Sequence, residues 1–279
     1  MRHTRAHVLP AHRSPTTATA DALRQVRATR YVTPLREGGS LPGVIEADDL
    51  GIYVCKFRGA GQGLRVLVAE VVVAGVARLV DVPVPDLVTV DLAPEIGRYE
   101  ADQEVQDLLN RSLGVNLGVD LLPGAFGYDS AYQPDRELAG RILWLDALCA
   151  NVDRSWRNPN LLVWRGDLFA IDHGAALYFH HAWPGGGGSP ERFAAQHYDV
   201  NEHIMRHYAA EAVAQDDALA SRLTTDALRQ VLSEVPDVWL EPVPAASSPD
   251  ALRQLYVDHL RARLGGSRPW LPVLEEKKG

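Results

Sequence analysis

The chain has 279 residues, 46% hydrophobic and 23% charged, which suits one large domain or two lobes with an ample core. A net charge of −8 argues against broad electrostatic binding to nucleic acid. The two cysteines, Cys55 and Cys149, exclude a disulfide framework and a cysteine-rich zinc site, and point to buried thiols in a reducing, cytoplasmic setting. No apolar run reaches the roughly 20 residues of a membrane span, because Glu70 and Arg78 interrupt residues 66–80.

Residues 1–20 carry Arg2, Arg5, Arg13 and three histidines without an apolar stretch, so they are no secretory signal, and residues 1–23 read as a disordered extension. Residues 24–35 are rich in β-formers and predict a strand. A glycine-dense turn over 36–43 leads to a second strand at 44–46 and a hairpin turn at 47–51. Residues 52–57 predict a third strand, with Tyr53, Cys55 and Phe57 on one face and Lys56 on the other. After a glycine-rich loop, 64–79 predicts a helix despite its valines, with Leu67, Val71, Ala74 and Arg78 along one face. Residues 87–92 predict a strand, 94–111 a polar and largely helical stretch, 115–122 a further strand and 123–127 a break.

From residue 135 the pattern turns helical. Leu138, Ile142, Leu145 and Leu148 form one stripe of a helix over 137–150. Residues 151–174 read as loop, strand, turn, strand, and 185–188 are four consecutive glycines. Helices are predicted over 201–219, 225–235 and 249–264. The stretch Asp-Ala-Leu-Arg-Gln occurs at 21, 226 and 250, but its flanks do not match, so it is no repeat; Asp226 and Asp250 read as helix caps. The expected organisation is an α+β chain of two lobes, strand-rich over 24–122 and mostly helical over 123–279.

Residues 151–174 are the most informative segment. Asp153-Arg154 is followed in one loop by Asn158-Pro159-Asn160, then two apolar runs, the second ending in Asp172-His173-Gly174. That layout suits phosphoryl transfer, in which one Asp orients the nucleophile while an Asn and a second Asp hold magnesium on nucleotide phosphates. Asp153 is the candidate catalytic carboxylate, and Arg154 is placed to pair with it or with a phosphate. The metal asparagine is either Asn158, five residues beyond Asp153, or Asn160, seven beyond and at the mouth of the strand. Asp172 is the candidate metal carboxylate, with Gly174 allowing the turn.

Upstream, Lys56 on a strand and Glu70, fourteen residues later on a helix, suit a lysine that contacts phosphates and a glutamate that holds it. Gly38-Gly39-Ser40 can bring backbone N–H groups and a hydroxyl to phosphate oxygens. The plainer readings are an edge-strand lysine, a hairpin turn and a surface Asp-Arg loop; the order of the whole set along one chain favours the site. His173, His180 and His181 lack a spaced Cys or His to complete a zinc set. His203 and His207 lie one helical turn apart without the intervening glutamate of H-E-x-x-H, and read as solvent-facing.

With these motifs the chain resembles the HipA-like kinases, a branch of the protein-kinase-like fold also related to phosphoinositide kinases. The resemblance rests on Gly38-Gly39-Ser40, Lys56, Glu70, Asp153-Arg154, Asn158-Pro159-Asn160 and Asp172-His173-Gly174, and spans roughly residues 24–180. It implies a two-lobed kinase fold, ATP with Mg2+, and phosphorylation of Ser or Thr on a protein. The chain departs from the wider kinase pattern in placing His173 where many kinases have Phe. It also lacks an APE-like anchor. No residue here encodes an antitoxin partner. The alternatives are a small-molecule or lipid kinase of the same fold, a pseudokinase acting as a scaffold, and a metal-dependent hydrolase. The adenine hinge is expected near residues 121–124.

Overall fold

The computed structural model describes residues 22–35, 41–61, 63–98, 100–129 and 131–273. The expected extension over residues 1–23 lies almost wholly outside the described residues, and Gly38, Gly39 and Ser40 lie outside them entirely.

Five strands close into a barrel: β1 (Gln25–Pro34), β2 (Gly43–Ala47), β3 (Ile52–Lys56), β4 (Leu87–Leu92) and β5 (Gly114–Asp120), in the order β1-β2-β3-β5-β4. Their alternating apolar residues meet inside. Val26, Ile45, Tyr53, Cys55, Val88 and Val90 form one buried cluster. Helix α2 (Gln103–Arg111) covers it with Val105, Leu108 and Leu109, and starts where the Asp102 carboxylate accepts the Glu104 and Val105 N–H groups. Helix formation within 94–111 is thus confined to its second half.

Helix α1 (Leu64–Leu79) holds the predicted bounds, but not the predicted single face. Every residue from Leu67 to Ala77 is buried. A helix apolar all round must be covered all round. Burial of each of its valine and leucine side chains contributes roughly 1.5–3 kcal/mol, which outweighs the few tenths that a valine loses in helix propensity. Its close neighbour on one side is α7 (Thr225–Ser233): a Cβ on Gly75 would stand 2.5 Å from Val231 Cγ1.

The remaining elements are helical around one small sheet. A strand β6 (Phe126–Gly127), falling in the expected break, pairs with β7 (Leu161–Trp164), which pairs with β8 (Asp167–Ala170). Helix α3 (Arg136–Cys149) is buried along most of its length and carries Cys149. Both cysteines are buried and free. Residues 190–194 form the short α4 (Pro190–Ala194).

The helix expected over 201–219 begins only at α5 (Ala209–Ala214) and continues as α6 (Asp216–Arg222). Residues ahead of it are held in turns, because His203 is drawn into the core by Asp146. Helices α7 and α8 (Pro249–Leu264) are capped by Thr224 and Ser248, whose hydroxyls accept the N–H groups of Ala227 and Ala251. Asp226 and Asp250 therefore sit in first turns, where they complement the helix dipole, and are not the caps. No helix among the described residues is long and apolar enough to cross a membrane.

Helices α3 and α5 touch at Gly140, where a Cβ would stand 2.9 Å from the Ala212 backbone nitrogen. Gly140→Ala should force these helices apart and lower stability by about 1–3 kcal/mol, read as a reduced urea midpoint. An unchanged midpoint would show that the contact yields freely.

Candidate active site

A cleft of about 890 Å³ runs between the barrel and the helical region. Lys56, at the end of β3, and Glu70, one and a half turns into α1, meet on its wall. Lys56 Nζ donates to Glu70 Oε1 and, at 2.7 Å, to Asp172 Oδ1. Glu70 is only 3% exposed, so it is not solvent-facing.

Two carboxylates thus share one ammonium. Burial pushes Glu70 up, and Asp172 adds to that by repulsion. Burial also opposes ionisation of Asp172, but Lys56 outweighs it and holds Asp172 below the usual range. Burial disfavours the Lys56 charge too, yet Glu70 and Asp172 together raise it, so the ammonium is fixed.

Asp172 follows β8 with φ of 55°, the left-handed region. The turn is therefore made at Asp172 itself. Gly174 serves a different need, close approach: a Cβ there would stand 2.5 Å from Val66 Cγ1 and 3.1 Å from Glu70 Oε1. The glycine admits α1 against the Asp172 loop, and the His173 backbone N–H donates to the Glu70 carboxylate.

Across the cleft lies the loop from Asn151 to Asn160. Asp153 Oδ2 accepts the Asn158 Nδ2 amide at 2.9 Å and the Asn160 Nδ2 amide at 3.3 Å. Among the described residues, no protein donor reaches Oδ1. Both asparagines and Asp153 line the cleft with Lys56, Glu70 and Asp172. The two asparagines are not equivalent. The Ile171 N–H donates to Asn160 O at 3.0 Å, which continues the β7–β8 ladder and sets Asn160 beside the residue before Asp172.

Arg154 does not face this cleft, contrary to the expectation that it pairs with Asp153 or a phosphate. Its side chain is 0% exposed. Consecutive side chains of an extended loop point to opposite sides, and Asp153 takes the outer one. The guanidinium donates instead to both Asp146 oxygens, to the carbonyls of Asn160 and Ile171, and to His173 Nδ1.

Asp146 is the residue that sequence reasoning missed. It sits in α3 next to Leu145, inside an apolar stripe. Besides Arg154 it accepts the Asn151 amide at 2.8 Å and His203 Nε2 at 3.0 Å. Burial opposes its ionisation, but Arg154 and His203 hold it far below the usual carboxylate range. An unpaired Asp in an otherwise apolar helix face was the available signal. His203, expected at the surface, is 4% exposed, and its Nδ1 accepts the Met205 N–H, which leaves Nε2 to donate. Asn151 completes the shell, with its carbonyl accepting the Tyr198 hydroxyl at 2.7 Å.

A model of the HipA-like kinase family matches residues 29–265, most of the chain. The chain belongs to the HipA-like kinases. It is a kinase-type phosphotransferase. Among solved structures it is similar to the Helicobacter pylori proinflammatory kinase CtkA, at 11% identity and a TM-score of 0.47 over 82% of this chain and 93% of that one. It is also similar to the Golgi casein kinase with Mn/ADP bound, at 13% identity and a TM-score of 0.43 over 87% of this chain and 73% of that one. No curated protein matches the chain.

Within this HipA-like kinase, Asp146→Asn should leave the Arg154 charge uncompensated and cost about 3–5 kcal/mol of stability. A urea midpoint at the wild-type value would sink that assignment. A second expectation concerns pH. Burial, aided by the Arg154 charge, pushes His173 down to about 3, and burial also lowers His203. The unfolded chain takes up these protons near 6.5, whereas the folded chain refuses them. Their stability is therefore full above about pH 6.5 and is lost as pH falls toward the folded values. Urea midpoints measured at pH 7.5 and 4.5 should drop at the lower pH; a rise would contradict the neutral assignment.

Proposed function

We propose that this kinase uses ATP with Mg2+ and transfers the terminal phosphoryl group to a serine or threonine hydroxyl of a protein. The observation that carries the proposal is the opposition, across one cleft, of the Lys56–Glu70–Asp172 cluster and the Asp153–Asn158–Asn160 loop. Fixed charges and fixed donors facing each other match a reaction that depends mainly on positioning and electrostatic stabilisation.

The donor set fits a hard divalent cation. Asp172 offers a carboxylate, and Asn160 offers an amide oxygen left free because its nitrogen serves Asp153. Asn160 is favoured over Asn158 because it lies beside the chain leading into Asp172. When bound, the cation neutralises phosphate charge.

Lys56 holds the phosphates, positioned by Glu70 from α1. Asp153 accepts the hydrogen bond of the acceptor hydroxyl at Oδ1, while the two amides fix Oδ2 and so fix the carboxylate plane. Arg154 acts only through position: it grips the carbonyls of Asn160 and Ile171 and never touches the reacting groups. Leu121 and Leu122, which also line the cleft, would flank the adenine. Gly38, Gly39 and Ser40, outside the described residues, are proposed to contact the phosphates.

Incubation with labelled ATP and Mg2+ tests the proposal. Wild-type protein should transfer label to itself or to added protein and should show a nucleotide-dependent thermal shift. Asp153→Asn and Asp172→Asn should each lower transfer by at least about 100-fold while the fold persists. Near-wild-type rates in both variants would place the chemistry elsewhere.

A further inference from the structure

A second cavity, of about 540 Å³, opens beside the catalytic loop, and its walls include Tyr128, Tyr132, Trp156, Ile204 and Tyr208. We infer that it docks an aromatic side chain of the protein acceptor, next to an acidic residue of that acceptor. The inference rests on the phosphotransfer to protein proposed above.

The partition between the cavities is one tight turn. Asn158 lines the cleft and Trp156 lines the second cavity. The turn is closed by the Ser155 N–H on Asn158 O at 3.0 Å and the Asn158 N–H on Ser155 O at 3.2 Å. Three steps along the chain lead from Asp153 to Trp156, a reach of at most about 11 Å. An extended peptide covers that in about three residues. A substrate with its hydroxyl on Asp153 can therefore reach the cavity with a neighbouring side chain.

Trp156 is 54% exposed, yet it is pinned. Its indole N–H donates to Glu202 Oε2 at 2.7 Å, its backbone N–H donates to Glu202 O at 3.3 Å, and the Arg157 guanidinium stacks 4.1 Å from its ring centre. Tyr132 is fixed by its hydroxyl on Gly166 O at 2.7 Å and lies edge-on to Tyr128 at 6.1 Å. Rigid exposed aromatic rings lose little entropy on contact, which is why binding hot spots favour them.

Charge selects the neighbour. Among the described residues no carboxylate lines the cavity, whereas Arg206 does. Arg206 uses one guanidinium nitrogen on Asn201 O at 3.1 Å. Glu202, at the base of Trp156, is engaged by Trp156 and Arg157. The lining is thus mainly aromatic rings, with the Arg206 guanidinium as its cation.

The test uses two pools of fluorescein-labelled serine peptides, carrying Phe-Glu or Ala-Glu about three residues from the serine. Fluorescence polarisation without nucleotide should show the Phe-Glu pool binding at least tenfold more tightly to the full chain. Trp156→Ala should abolish that preference and Trp156→Phe should restore part of it, with the nucleotide thermal shift unchanged in both. Equal binding of the two pools, or a preference untouched by Trp156→Ala, overturns the inference. So does displacement of neither pool by the other together with displacement by a uridine oligonucleotide, which would assign the cavity to nucleic acid. The Phe-Glu preference without transfer of label from ATP to either pool would uphold the docking surface and sink phosphotransfer to protein.

Discussion

The buried contact between Asp146 and Arg154 is the constraint on which the rest of the site depends. Both side chains are wholly withdrawn from water. Such a pair adds little net stability, since desolvation offsets most of the attraction. Its effect is geometric. The guanidinium is a rigid planar fork with five N–H donors, and here its directions are fixed by groups on three different stretches of chain. One edge lies on α3. Another takes the carbonyls of Asn160 and Ile171, at the matching ends of β7 and β8. The third takes His173. A shift of any one of these would leave a buried charge or N–H group unpaired, at about 1–3 kcal/mol for each neutral group.

The opposite wall obeys the same logic with a different element. Glu70 reaches Lys56 only because α1 packs close to the Asp172 loop, and it does so because Gly174 has no side chain in the way. On its far side α1 approaches α7 at Gly75. The helix that carries the glutamate is thereby held from both directions by missing side chains. Position of the Lys56–Glu70 contact is set by backbone proximity first and by charge second. This ordering explains why the buried Glu70 and the half-exposed Asp172 can tolerate each other: the ammonium between them has nowhere else to go.

Much of this was legible in the sequence, for identifiable reasons. Long elements with strong periodicity or clean punctuation, such as α1, β4 and α8, follow from local pattern. Lys56 and Glu70 were legible because strand and helix fix which way each points. Arg154 was not, because the inward turn of a loop side chain depends on a partner eight residues upstream in another element. His203 was misjudged for the same reason: its burial is caused by Asp146, fifty-seven residues away along the chain. Helical spacing between His203 and His207 carried no information once a tertiary hydrogen bond had unwound that segment. Gly174 was singled out correctly but for the wrong property, since the left-handed residue is its neighbour but one.

The left-handed positions explain why the proposed metal ligands are Asn and Asp. Asn160 and Asp172 have φ of 47° and 55°. For most residues that conformation is unfavourable by roughly 1–2 kcal/mol, while Asn and Asp relieve it through short side chains that hydrogen-bond locally. Each position therefore selects the same residue types twice, once for the backbone and once for the oxygen it presents. The strain is held in place by Arg154, whose guanidinium grips the carbonyl of Asn160 and the carbonyl just before Asp172. A buried cation thus stabilises the two backbone kinks at the residues that line the cleft. The Asp146–Arg154 pair and the proposed ligands on the cleft wall are one device seen from opposite sides of the loop.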